Sequence, residues 1–103
     1  MRDPATLDDM TALRGEIDAT DRDLVTLLAH RARLIDRAVQ LKTAAGLPAR
    51  ITARVEEVVA NARRNAEAAG LDPELSAALW RDLVEWSIHR EEAVLGREQE
   101  ASA

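Results

Sequence analysis

Apolar residues recur at intervals of three and four along most of the chain. The first run is Leu13, Ile17, Leu24, Leu27, Leu28, Leu34, Ile35, Ala38 and Leu41; the second is Val55, Val58, Val59, Ala62 and Ala66; the third is Leu75, Leu79, Leu83 and Trp86. This is the helical period, and the intervening residues are rich in Ala, Leu, Arg and Glu, all good helix formers. Glycine and proline are sparse and divide the chain into three segments. The first helix is expected from about Thr6, where Thr6-Leu7-Asp8-Asp9 has the layout of a capping box with Asp in place of Glu, to about Thr43, before Gly46 and Pro48. Only Gly15 interrupts it. The second helix is expected over 52–69, with Thr52 as its N-cap and Gly70 as its stop. The third is expected over 73–95, opened by Asp72-Pro73 and fading near Gly96, with a frayed tail at 97–103. No internal repeat or linker divides residues 1–103, which read as a single all-α domain.

The uninterrupted stretch from Glu16 to Ala45 would be about 45 Å long, whereas a compact domain of this size has a radius of gyration of about 13 Å. Its apolar stripe continues almost throughout, so two shorter helices cannot cover it. Three helices, one of them very long, are therefore expected to form an intertwined helical-bundle homodimer.

Composition narrows the chemistry. Of 103 residues 47% are hydrophobic and 32% charged, with 14 Lys plus Arg against 19 Asp plus Glu and a net charge of −5. Disorder is excluded by the apolar content, and the acidic balance argues against nucleic acid. No apolar run is long enough to span a bilayer, and the opening Met1-Arg2-Asp3-Pro4 is unlike a secretion signal, so no membrane partner and a cytoplasmic location are expected. There is no cysteine, and two isolated histidines, His30 and His89, are too few for a metal cluster. No metal and no cofactor are expected, and both histidines are placed on the surface.

Two cations fall on the first helix's apolar stripe. With Leu24 at zero and 100° per residue, Arg31 lies near 340° and Lys42 near 0°. A buried cation without a partner costs several kcal/mol, so an anion must meet each of them. Structural ion pairs or stems reaching to water are one answer. An internal pocket for an anionic small molecule, with Arg31 gripping a carboxylate and Lys42 supplying a point charge, is the other. Arg54, beside the apolar face at the start of the second helix, adds a third cation. On the third helix Trp80, Val84, Ser87 and Glu91 share a face next to that of Leu75, Leu79, Leu83, Trp86 and Arg90, so Ser87 and Glu91 can look inward together. A solvated acid within Arg90-Glu91-Glu92 is the competing reading of Glu91; for Trp80 and Trp86, core packing is expected.

The series Leu13-Arg14-Gly15-Glu16-Ile17-Asp18, Asp21, Leu24, Leu27-Leu28-Ala29-His30-Arg31, Lys42, Gly46-Leu47-Pro48, Arg54 and Gly70-Leu71-Asp72 resembles the all-helical (type II) chorismate mutase family over about residues 7–95. The resemblance implies two intertwined chains, each site taking one arginine from the partner. Helix geometry agrees: Arg14 and Arg31 are 17 residues apart, about 25 Å on one helix, so both line one small pocket only if Arg14 comes from the second chain. The resemblance further implies that Arg14 and Arg31 hold the two carboxylates of a small-molecule dicarboxylate substrate with help from Ser87. Lys42 would bind a carboxylate and the ether oxygen, and Arg54 would set the field at the mouth.

The implied reaction is the Claisen rearrangement of chorismate to prephenate, which belongs to the shikimate pathway of aromatic amino acid biosynthesis and proceeds by positioning and electrostatics. Arg31, Lys42 and Glu91 are the catalytic residues implied. Glu91 stands where many members have glutamine; a carboxylate cannot donate, so Glu91 serves only when protonated, and activity is expected to fall as pH rises through its titration. The substrate-binding set implied is Arg14, Arg31, Lys42, Ile51, Arg54, Val55, Val84, Ser87 and Glu91. Two of these depart from the family pattern: Ile51 and Val55 stand where acids usually hold the ring hydroxyl. That favours a differently substituted ring. The 4-amino-4-deoxychorismate mutases of antibiotic biosynthesis share the Gly-x-Pro loop, the Arg-Val pair and a glutamate at the Glu91 position. Isochorismate-pyruvate lyases, which make salicylate, are the alternative enzyme, although their loop between Lys42 and Arg54 tends to be shorter. A non-catalytic helical dimer module, or a mutase activated by a partner enzyme, is the alternative from another class.

Overall fold

The computed structural model contains a 3₁₀ turn, Pro4–Thr6, and three helices: α1 (Met10–Ala45), α2 (Thr52–Ala69) and α3 (Pro73–Ser102). It describes residues 1–96, together with the helical backbone as far as Ser102, so α3 continues past Gly96, where the third helix is expected to fade; the side chains of 97–103 lie outside the described residues. Among the described residues there is no strand, as an all-α reading requires, and no helix is long and apolar enough to cross a membrane.

The caps explain where each helix starts and stops. α1 begins at Met10 rather than near Thr6, because the Thr6 hydroxyl donates to the Asp3 carbonyl at 2.7 Å while Asp9 accepts from the Ala12 amide at 2.7 Å. Asp9 is thus the N-cap. At the other end Leu47 N–H reaches the Lys42 carbonyl (2.9 Å) and Gly46 N–H the Thr43 carbonyl (3.3 Å), a Schellman closure that needs the left-handed φ of +68° at Gly46. Gly70 closes α2 in the same way, with Leu71 N–H on the Ala66 carbonyl. The N-cap of α2 is Ile51, which offers no side-chain cap, rather than Thr52. α3 opens as expected: Asp72 accepts from the Glu74 amide at 2.9 Å, and Pro73 occupies the first helical position.

The chain divides into two compact units, residues 1–34 and residues from Ile35 onward. In the first, the stripe residues Ile17, Leu24, Leu27, Leu28 and Leu34 are exposed on the single chain, and Leu13 is half-buried. The second unit holds the core: Val39, Ala49, Val84, Ile88 and Leu95, flanked by Val55, Val58 and Val94. Small residues Ala62, Ala66 and Ala77 are buried where α2 packs on α3, and the buried Ser76 hydroxyl donates to the Ala62 carbonyl at 2.9 Å.

Two expectations about faces need correction. Leu41 is exposed, and Val39 is the buried residue of α1. On the helix Val39 lies 60° from Lys42 on the core side, whereas Leu41 lies 100° away on the other. Likewise Leu75, Leu79 and Trp86 are exposed, Trp86 by 49%, with the Arg90 guanidinium 5.3 Å from its ring centroid. The inward face of α3 is the adjoining one through Ala77, Val84, Ser87, Ile88, Glu91 and Leu95.

Candidate active site

Lys42 and Glu91 meet at the inner face of α3. Lys42 lies in the last turn of α1, its own carbonyl locked by the Schellman closure, so the position of its Cα is set by the chain reversal that follows. The side chain runs inward and its Nζ donates to the Ala49 carbonyl at 2.7 Å. The same Nζ lies 3.2 Å from Oε1 and 3.3 Å from Oε2 of Glu91. Side-chain exposure is 18% for Lys42 and 4% for Glu91, so this is a desolvated pair whose partners depend on each other. Glu91 is the buried member of a run whose neighbours, Arg90 and Glu92, are exposed, which decides against a solvated acid.

Around the pair, Val84 belongs to the core and Val55 packs against it. Ser87 is buried one turn before Glu91 and donates its hydroxyl proton to the Leu83 carbonyl at 2.8 Å. Ile51 is half-buried at the head of α2. Arg54 is exposed and engages Glu57 one turn along its own helix. These residues all belong to the second unit. Arg14, exposed, and Arg31, half-buried, belong to the first. His30 and His89 are exposed, as expected.

Two exposed ion pairs flank the buried one. Arg90 clasps Asp36 with bonds of 2.6 and 2.9 Å, joining α3 to α1, and Arg50 clasps Glu85 with bonds of 2.9 and 2.7 Å, joining the 46–51 connection to α3. Hydrogen bonding from each guanidinium holds the Asp36 and Glu85 carboxyls below their ordinary range and raises the arginines above theirs. None of Asp36, Glu85, Arg50 or the Ala49 carbonyl was legible as part of the site: Asp36 and Glu85 are exposed acids among many on their helices, Arg50 lies in a connection with no period to place it, and a main-chain acceptor leaves no trace in residue type. Among the described residues no cluster of three or more His, Asp or Glu side chains is placed to hold a metal ion.

A half-buried ammonium and a buried carboxyl beside one apolar core can present two hydrogen-bond donors to one oxygen when the carboxyl is protonated. The family model for chorismate mutase type II matches residues 13–92, which include Arg14, Arg31, Lys42, Arg54, Ser87 and Glu91. The chain is also 39% identical over 67 residues to a T-protein from Enterobacter agglomerans, an alignment covering 65% of this chain and 18% of that protein. It thus spans less than a fifth of the length of the curated relative it matches. With the family model extending over most of α1, all of α2 and α3 as far as Glu92, the chain belongs to the chorismate mutase type II family, a family of isomerases.

Proposed function

We propose that the chain catalyses the Claisen rearrangement of chorismate to prephenate, or of 4-amino-4-deoxychorismate to the corresponding prephenate, as an intertwined homodimer. The observation that carries this reading is the Lys42–Glu91 pair, a half-buried cation and a buried acid beside the apolar core. In the rearrangement a C–O bond breaks as a C–C bond forms, and negative charge grows on the ether oxygen. Lys42 Nζ donates to that oxygen, and the neighbouring Glu91 adds a second donor when it holds a proton. Arg31, together with Arg14 of the second chain, takes the two carboxylates, and Arg54 raises the local positive potential. Ser87 assists by turning its hydroxyl from the Leu83 carbonyl toward a carboxylate. No step needs a covalent intermediate.

Neither Ile51 nor Val55 can hydrogen-bond a ring substituent, so these two side chains do not select chorismate over its 4-amino analogue, and both substrates belong to this reading. The test is a parallel assay with chorismate, 4-amino-4-deoxychorismate and isochorismate, with products resolved by chromatography. Prephenate or its amino analogue is the expected product. Salicylate would replace the mutase reading with a lyase. No turnover of any of the three would favour a partner-activated or non-catalytic dimer.

A further inference from the structure

Lys42 is the only lysine in the chain; the other thirteen members of the Lys-plus-Arg set are arginine. An ammonium on a four-carbon stem is a poorly preorganised donor unless its acceptors are themselves fixed. Glu91 is fixed by a rigid helix. The carbonyl of Ala49 lies in the 46–51 connection and needs another restraint.

That carbonyl belongs to the peptide plane joining Ala49 to Arg50, which can turn about its two flanking Cα atoms. The Ala49 methyl is buried in the core and fixes one end. Arg50, at the other end, is forked onto Glu85 through two hydrogen bonds of 2.9 and 2.7 Å. With the residue at each end held, the plane stays in place beside Lys42, and the 2.7 Å bond from the Lys42 ammonium marks the orientation in which its carbonyl points inward. We infer that the Arg50–Glu85 ion pair is a positioning clip: it orients the Ala49 carbonyl and through it the Lys42 ammonium. Neither residue touches the Lys42–Glu91 pair directly. The pair is exposed, 44% and 47% by side chain, so its contribution to stability is small and its effect is on geometry.

The kinetic part of this inference rests on the proposed rearrangement; the structural part does not. Because the lysine is unique, protein labelled with ¹⁵N at the lysine Nζ gives a single side-chain ammonium signal, which reports on this site alone. Arg50→Gln and Glu85→Gln are each expected to speed hydrogen exchange of that ammonium about tenfold. With the turned-over substrate, kcat should fall by about threefold to tenfold while KM changes less than twofold. Far-UV circular dichroism should be unaltered in both. The exchanged pair, Arg50→Glu with Glu85→Arg, should bring exchange and kcat back toward the parent values. Unchanged ammonium exchange in both single variants would overturn the clip, and so would an exchanged pair no better than the single variants. If the parent protein converts none of the three substrates, the proposed reaction fails, while the exchange measurement still decides the clip.

Discussion

The Lys42 ammonium lies within 3.3 Å of both carboxylate oxygens of Glu91, 49 residues away in the chain. Glu91 is the buried member, so removing Lys42 leaves a buried acid without its partner, a cost of about 3 kcal/mol. Lys42→Met is expected to lower the unfolding midpoint and to reduce turnover by about a hundredfold to a thousandfold. Thermal melts beside kcat measurements check both effects. A variant that keeps near-parental turnover would remove Lys42 from the mechanism.

Glu91→Gln separates donation from charge. The amide supplies a donor and carries no charge, so turnover should persist in Glu91→Gln, whereas Glu91→Leu, which supplies none, should lose about a hundredfold. kcat measured on both variants is the check, and near-parental turnover in Glu91→Leu would refute the role of Glu91.

The two exposed clasps give stability a small dependence on acid. Asp36 and Glu85 titrate below their ordinary range because Arg90 and Arg50 hydrogen-bond their charged forms. Such groups add stability that is fully present above the unfolded-state value, about 4, and is lost as pH falls through the lower folded-state value. Melting temperature measured from pH 7 downward should decline in that acid window. Asp36→Asn with Glu85→Gln should start lower at pH 7 and decline less.

Ile51 heads α2 without supplying a side-chain cap. Ile51→Asp would give the free amides of the first turn an acceptor, contributing about 1 kcal/mol to the helix, and would place an acid where a ring hydroxyl can be met. The expected outcome is an unchanged or higher melting temperature and a relative kcat/KM shifted toward chorismate over its 4-amino analogue. Competition between the two substrates reads this directly.

The exposed Leu24 and Leu28 on α1 are the basis for the proposed dimer. Light scattering should return about twice the chain mass of 11.3 kDa for the parent. Leu24→Glu with Leu28→Glu should give the monomer mass and lose turnover with it, since Arg14 of the second chain is then withdrawn.

Much of this was legible in the sequence because it rests on period and punctuation. The three helices follow from the spacing of Leu and Val, and their ends from Asp72, Gly46 and Gly70, whose side chains or left-handed φ satisfy the terminal backbone groups. The inward positions of Lys42, Ser87 and Glu91 follow from the same 100° step. What was not legible depends on choices between equivalent partners. Thr6 and Asp9 are both good caps, and only the Asp3 carbonyl, by taking the Thr6 hydroxyl, leaves the start to Asp9. The stripe through Leu75, Leu79 and Trp86 is as apolar as its neighbour, and the small residues Ala62, Ala66 and Ala77 let α2 approach the neighbouring face instead.

Connections between helices ordinarily absorb inserted residues at little cost, because closing a slightly longer loop changes its entropy only slowly. The 46–51 connection departs from that rule. Its first residues are tied to the Lys42 carbonyl, its middle is buried at Ala49, and its last turn is clasped through Arg50. A single glycine added between Leu47 and Ala49 would leave the helices intact and still shift the acceptor of the Lys42 ammonium. Length variation here is therefore a change in chemistry, and engineering that grafts or shortens this loop should be judged by turnover rather than by folding.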